Sequence, residues 1–244
     1  MRIIILGRYS PYPPPRGACP GYLIEGQSTR ILLDCGSGVL SRLQEHIPFW
    51  QLDAIILSHL HGDHMSDLWV YRYALDQARA EGKIGGPLPV WAPPDPPEVF
   101  QSLTYREAME ARSLSPGEEL RIGEFGLNFF PARHSLSGVS MRISDGSKTL
   151  FYTGDTEYFG EVAIFAKGSH LLLAEATYRE EDIIQGATGH MSAGQAARLA
   201  QEAQCSRLIL THIRPWYDPG SLLSEAQKLF PQSQLAQEGM RIEI

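Results

Sequence analysis

The sequence predicts an α/β chain in which two β-sheets pack face to face and helices cover both outer faces. Three observations carry this reading. Short apolar runs bounded by Gly, Pro, Ser or Asp recur in two β-rich stretches. Helical segments are attached to each stretch, so both sheets can be buried if they face one another beneath helical layers. Finally, 244 residues with 43% hydrophobic and 20% charged side chains make an ordinary globular composition, which excludes a disordered, collagenous or coiled-coil chain.

In order along the chain, the apolar runs predict strands at Arg2–Leu6, Gly21–Glu25, Arg30–Asp34 and Ala54–Leu57. Leu68, Tyr71, Leu75 and Ala78 form a helical stripe within Met65–Ala80, which the Gly82–Gly86 stretch ends. Strands follow at Leu88–Ala92, Leu120–Ile122, Leu127–Phe130, Val139–Ile143 and Leu150–Tyr152, with a helical segment around Glu98–Ala111 after the first. From Phe159 the pattern alternates: a helix to Ala166, a strand Leu171–Glu175, a helix Ser192–Ala203, a strand Arg207–Thr211 and a helix Leu222–Leu229. The proline-rich pieces Pro11–Pro15 and Pro93–Pro97 are short and lie between apolar runs, so they read as rigid loops. With no internal repeat and no linker, residues 1–244 are expected to form one domain.

Charge and cysteine content narrow the function classes. The balance of 21 basic against 28 acidic residues, net −7, does not favour nucleic acid or an anionic membrane, and a polyanionic substrate would need local positive charge. Cys19, Cys35 and Cys205 are odd in number and lack CxxC spacing, which argues against a disulfide framework and for small core residues in a reducing compartment. The apolar run before Arg8 is too short for a signal peptide, and no run is long enough to span a bilayer. A cytoplasmic protein with no membrane partner is expected.

The strongest chemical signal is His59-Leu60-His61-Gly62-Asp63-His64, directly after the Ala54–Leu57 strand. By chance such a string should arise on the order of once in several thousand chains of this composition. His59 and His61 point to one side of an extended segment and can converge on one ion. Gly62 permits a sharp turn that brings Asp63 and His64 towards a second. A solvated polar loop is the alternative, and three histidines in six residues at a strand end disfavour it. His134, Asp155 and His212 also each stand just beyond a strand.

With these motifs the chain resembles the metallo-β-lactamase superfamily over nearly its whole length. The Leu33-Asp34-Cys35-Gly36-Ser37-Gly38 turn, His59–His64, His134, Gly154-Asp155-Thr156 and Thr211-His212 stand in the family's order. The resemblance implies a four-layer αββα sandwich of two mixed β-sheets, with helices on both outer faces. It implies that His59, His61 and His134 hold one metal, that Asp63, His64 and His212 hold a second, and that Asp155 bridges them. Such imidazole and carboxylate donors suit two Zn²⁺, with Mn²⁺ or Fe²⁺ as alternatives. No cysteine falls at a ligand position. The resemblance also suggests that Asp34 supports the metal histidines, although an Asp before Cys-Gly is an ordinary turn former.

Within the superfamily, Ala174-Glu175-Ala176-Thr177-Tyr178, Gly189-His190-Met191-Ser192 and Leu210-Thr211-His212 resemble the ribonuclease Z branch and its shorter phosphodiesterase-like relatives. That branch implies a Glu175–His190 dyad beside the metals, which makes His190, Glu175 and the ligand Asp63 the candidate catalytic residues. Two departures bear on substrate. Ala174 replaces the branch's histidine, and the 21 positions from His134 to Asp155 hold one hairpin and no long tRNA-gripping arm.

The expected function is therefore a dinuclear-metal hydrolase of a small phosphodiester or nucleotide-like substrate. Hydrolysis of a lactone or thioester, tRNA 3′ processing, and a non-catalytic RNA-binding module are the alternatives. RNA stays open as a partner, and so does homo-oligomerisation. His46 and His170 have no partner motif, and nothing in their spacing gives Arg16, Arg133, Arg214, Tyr9 or Tyr178 a role.

Overall fold

A computed structural model describes all 244 residues. The first half runs β1 (Arg2–Gly7), β2 (Gly21–Glu25), β3 (Arg30–Leu33), α1 (Val39–Leu43), β4 (Ala54–Ile56), α2 (Gly62–Met65), α3 (Leu68–Ala80), β5 (Leu88–Ala92), α4 (Pro97–Ser102) and β6 (Met109–Ser113). The second runs β7 (Glu119–Ile122), β8 (Phe125–Pro131), β9 (Val139–Ser144), β10 (Thr149–Tyr152), α5 (Gly160–Phe165), β11 (Leu171–Glu175), α6 (Glu180–Ile184), α7 (Ala193–Glu202), β12 (Leu208–Thr211), α8 (Pro219–Gln227), β13 (Ser233–Leu235) and β14 (Arg241–Glu243). These strands make two seven-stranded mixed sheets, ordered β14-β1-β2-β3-β4-β5-β6 and β13-β12-β11-β10-β9-β8-β7.

The period of two along each strand builds four layers. Ile3, Ile5, Tyr22 and Leu33 of the first sheet meet Leu127, Phe129, Met141, Tyr152 and Leu173 of the second in one buried cluster between the sheets. Their alternates Ile4, Leu6, Leu23 and Leu32 turn outward onto Val39 and Leu43 of α1 and Leu68, Tyr71 and Leu75 of α3. On the far side, Phe151, Leu172, Leu208 and Leu210 pack under Val162 of α5, Leu222 of α8 and the alanines 193, 196, 197 and 200 of α7. Small side chains let α7 lie close on the sheet. Its start is fixed by a capping box in which the Ser192 hydroxyl accepts from Gln195 N and Gln195 Oε1 accepts from Ser192 N. The expected αββα sandwich is therefore present.

Local departures have identifiable causes. The single helix expected over Met65–Ala80 is two, because Asp67 N donates to Cys35 O and the Asp67 carboxylate accepts from Leu40 N at 2.8 Å. The end of the helix expected around Glu98–Ala111 is instead β6, an edge strand paired in parallel with β5. Helices α1 and α6 and the short strands β13 and β14 are additional to the elements that the apolar pattern predicts. The Val139–Ile143 hairpin turns at Asp145, whose carboxylate accepts from Ser147 N and Lys148 N, with Gly146 at φ 91°. All three cysteines are free and buried, and burial pushes the Cys19 thiol up to about 12. No helix is long and apolar enough to cross a membrane.

Candidate metal centre

The residues singled out in the sequence converge from both sheets. His59 and His61 follow β4, Asp63 and His64 lie in α2, His134 follows β8, Asp155 follows β10 and His212 follows β12. Two backbone features make the approach possible. A Cβ on Gly154, whose φ is 57°, would stand 2.8 Å from Val139 O and 2.9 Å from Ser58 Cβ, so only glycine lets β10 feed Asp155 beside His59. His212 itself adopts φ 59°, a conformation uncommon outside glycine that here turns the imidazole inward.

Three groups of possible donors result. His59, His61, His134 and Asp155 form the first, Asp63, His64 and His212 the second, and Asp155, His190 and His212 a third that overlaps both sides of the site, with the donor atoms of each within 4.8 Å of one another. In the first, His61 Nδ1 is 2.9 Å from His59 Nε2 and 3.0 Å from His134 Nε2. In the second, His64 Nε2 is 3.1 Å from His212 Nε2, and Asp63 Oδ2 is 3.6 Å from the latter. Asp155 reaches the first two groups alike, with Oδ2 3.6 Å from His59 Nε2 and 3.1 Å from His212 Nε2, and Oδ1 3.3 Å from His64 Nε2.

The surrounding hydrogen bonds assign the tautomers and thereby test whether a metal fits. His64 Nδ1 donates to Asp34 Oδ2 at 2.9 Å, and His134 Nδ1 donates to Gly189 O at 2.7 Å. The Ser58 hydroxyl donates to Asp34 Oδ2, so it accepts from His59 Nδ1 at 3.0 Å. The Thr177 hydroxyl donates to Glu175 Oε2, so it accepts from His212 Nδ1 at 2.7 Å. With these rings neutral, each Nε2 of His59, His64, His134 and His212 is left as a lone pair, and those of His64 and His212 face one another across 3.1 Å. Facing lone pairs repel unless a cation lies between them, and donors ~2.0–2.1 Å from a tetrahedral ion stand about 3.3 Å apart. Buried Asp155 Oδ1 also lacks any hydrogen-bond partner. The residues present fit a pair of divalent cations.

Electrostatics agree. Burial, and then the neighbouring imidazole of His64, hold His59 well below its ordinary value and keep it neutral. Although burial disfavours charge on His212, the Asp155 carboxylate pushes it up to about 9. Burial likewise opposes charge on His64, yet Asp155, Asp34 and Asp63 hold it well above the usual range. The carboxylate field that would retain a proton between these two rings is the field that would draw in a cation.

His190 lies within 4.8 Å of donor atoms of Asp155 and His212, but its nearest carboxylate is another: its Nδ1 is 3.0 Å from Glu175 Oε1 and 3.8 Å from Asp155 Oδ2. The expected Glu175–His190 pair is thus formed. Burial opposes charge on His190, but the Glu175 carboxylate raises it above its ordinary value. Asp34 is a hub, accepting at Oδ1 from Ser58 N and at Oδ2 from Ser58 Oγ, His64 Nδ1 and Tyr152 Oη. The sequence reading gave Ser10, Ser58, Tyr152 and Thr177 no role, and Ser10 Oγ donates to Asp63 Oδ2 at 2.8 Å. His46 and His170 lie away from the centre, bonded to Arg241 and Thr149 N respectively. Arg133 extends over the Phe159 ring near His134, and Arg214 packs on Tyr178 beside His190.

Comparison with known proteins accords with this arrangement. Residues 29–213 match the model of the β-lactamase superfamily domain. The chain is 34% identical to the probable metallo-hydrolase YhfI of Bacillus subtilis over 94% of each protein. The crystal structure of YhfI superposes with a TM-score of 0.94 over 99% of this chain and 98% of that one. The chain is 25% identical to ribonuclease Z of Methanopyrus kandleri over 92% of this chain and 91% of that protein. The short form of human tRNase Z, at 18% identity, shares the fold with a TM-score of 0.80 over 100% of this chain and 99% of that one.

Proposed function

Because the chain belongs to the β-lactamase superfamily of metallo-hydrolases, we propose that residues 1–244 form one hydrolase domain, a dinuclear-metal phosphodiesterase for a small or flexible, nucleotide-like phosphodiester. His59, His61 and His134 would hold the first ion, Asp63, His64 and His212 the second, and Asp155 both. Zinc suits imidazole and carboxylate donors, and Mn²⁺ or Fe²⁺ shares them. Bound there, the ions supply Lewis-acid polarisation of a phosphoryl oxygen and activation of water at neutral pH. The three free cysteines support a cytoplasmic setting.

One observation carries the choice of phosphorus over carbon: the 3.0 Å contact of His190 Nδ1 with Glu175 Oε1 beside the first two donor groups. It leaves His190 Nε2 outside the Glu175 contact, and the neighbouring carboxylate raises the ring above its ordinary value although burial opposes the charge. His190 donates its Nε2 proton to the departing oxygen, while Glu175 fixes the tautomer and ring orientation. Asp63 contributes by holding the second ion, its carboxylate kept in place by the Ser10 hydroxyl. That two of the matched proteins are named ribonucleases supports a phosphodiester substrate.

The test is turnover of zinc-reconstituted protein on bis-p-nitrophenyl phosphate set against a lactone and a thioester panel. Phosphodiester hydrolysis with a kcat/KM at least tenfold above every carbonyl substrate is expected. Preferential hydrolysis of a lactone or thioester would replace this reading.

A further inference from the structure

Beside the donor groups lies a rim of aromatic rings and one guanidinium that the chemistry above does not use. Tyr12 and Trp216 are 54% and 53% exposed, yet their rings meet with centroids 5.8 Å apart and planes inclined by 32°. Both hang from the metal centre itself. Tyr12 is two residues beyond Ser10, whose hydroxyl holds Asp63, and Trp216 is four residues beyond His212. Between them and His190 the contacts continue. The Arg214 guanidinium carbon lies 5.4 Å from the Trp216 ring centroid and 4.4 Å from that of Tyr178, and Tyr178 meets the His190 ring edge-on at 5.6 Å.

Arg214 is held rather than neutralised. Its Nη1 donates to the Tyr217 hydroxyl at 3.0 Å, and that hydroxyl donates onward to Asp182 at 2.9 Å. The guanidinium reaches a carboxylate only through that hydroxyl, and on a chain of net −7 it is the local help that an anionic substrate requires. Flat, half-exposed rings with a cation beside a phosphoryl-transfer centre match a ligand that carries a planar heterocycle attached to phosphate. An aliphatic tail would ask for a groove of branched side chains. A protein partner would ask for ~800 Å² on each side, more than two rings and one arginine provide.

We propose that Tyr12 and Trp216, with Arg214 behind them, form a nucleobase-stacking subsite, and that the phosphodiester cleaved here is a nucleotide. The proposal rests on the phosphodiesterase reading. The phosphoryl group sits at the donor groups, the base leaves the metal centre past Tyr178 and lies against Trp216 and Tyr12, and Arg214 meets the charge next to the sugar.

The experiment compares two phosphodiesters with the same leaving group on the zinc-loaded protein: thymidine 5′-(p-nitrophenyl phosphate) and ethyl p-nitrophenyl phosphate. Calorimetry in parallel compares adenosine 5′-monophosphate with ribose 5-phosphate. The native protein is expected to prefer the base-bearing member of each pair. Trp216→Ala should cut both preferences by roughly 5- to 150-fold, the range for losing one base–aromatic stack. In turnover the loss should appear in KM rather than kcat, and Trp216→Phe should restore much of it. Equal binding of the two monophosphates, or a preference that survives both Trp216→Ala and Tyr12→Ala, overturns the proposal. Hydrolysis of neither ester, with Trp216-dependent binding of adenosine 5′-monophosphate intact, leaves the subsite standing and refutes the phosphodiesterase reading instead.

Discussion

Glu175 and His212 are joined through a single hydroxyl. Thr177 Oγ1 donates to Glu175 Oε2 at 2.6 Å and accepts from His212 Nδ1 at 2.7 Å, while the other oxygen of Glu175 holds His190. One buried carboxylate thus orients both the proposed proton donor and a donor of the proposed second metal position. Thr177→Val keeps the shape of the side chain and removes the relay, leaving His212 free to present the wrong tautomer. Loss of such an outer partner typically weakens metal binding by ~10–100-fold. Chelator-competition titration should show that loss for one of two ions, with Thr177→Ser close to the native value. Equal affinities for Val and Thr would mean that His212 needs no such support.

The Glu175–His190 contact makes a prediction about leaving groups and pH. His190→Ala should keep both metals yet lose ~10²–10⁴-fold on a substrate with a poor leaving group, the usual scale of general acid catalysis. On nitrophenyl esters the loss should shrink, because nitrophenolate needs little protonation. The sign of the pH effect follows from the raised pKa of His190. The ring must be protonated to act, so activity on the poor leaving group should fall as pH rises through that raised value. Glu175→Gln removes the charge that raises it, and the alkaline limb of kcat/KM should move to lower pH. A limb that stays in place would assign it to another group.

The sequence exposes these residues unevenly, for physical reasons. The proposed metal donors are legible because they stand either in the compact His59–His64 string after β4 or just beyond the end of a strand, as His134, Asp155 and His212 do. Hydroxyl partners are not, because tertiary placement alone chooses them: Tyr152 reaches Asp34 across 118 positions. The same holds for the fold. Strands buried on both faces, such as Leu171–Glu175, announce themselves as unbroken apolar runs. Met109–Ser113 has a helix-compatible composition and becomes a strand only because β5 offers it an edge. The stripe Leu68, Tyr71, Leu75 and Ala78 gives no hint that Asp67 is drawn to the backbone of Leu40.

The interval between His134 and Asp155 is filled by β9, β10 and the turn that joins them. Together with net −7, this predicts poor processing of precursor tRNA. Its kcat/KM for 3′-end cleavage should lie below that for a small phosphodiester assayed in the same buffer. A value far above would show that the β9–β10 hairpin, or another surface, replaces the missing arm.

Asp34 supports one histidine of each proposed metal position, and its substitution should therefore differ in kind from that of Thr177. It bonds His64 directly and His59 through the Ser58 hydroxyl, and it adopts φ 55° at the end of β3, a conformation that Asn tolerates well. Asp34→Asn thus preserves the backbone and changes only the hydrogen bonding. If the amide nitrogen replaces Oδ1 it faces the Ser58 N–H, donor against donor; if it replaces Oδ2 it faces the His64, Ser58 and Tyr152 donors at once. Either way buried donors lose their acceptor, at a cost of ~1–3 kcal/mol each. Denaturant unfolding of the metal-free protein should register that loss, and metal analysis after zinc reconstitution should fall below two ions with both sites weakened. By contrast, His212→Ala should lower occupancy of the second position more than the first. Full loading of Asp34→Asn with unchanged stability would show that His59 and His64 are positioned by packing alone, and the tautomer argument for the metal centre would fail with it.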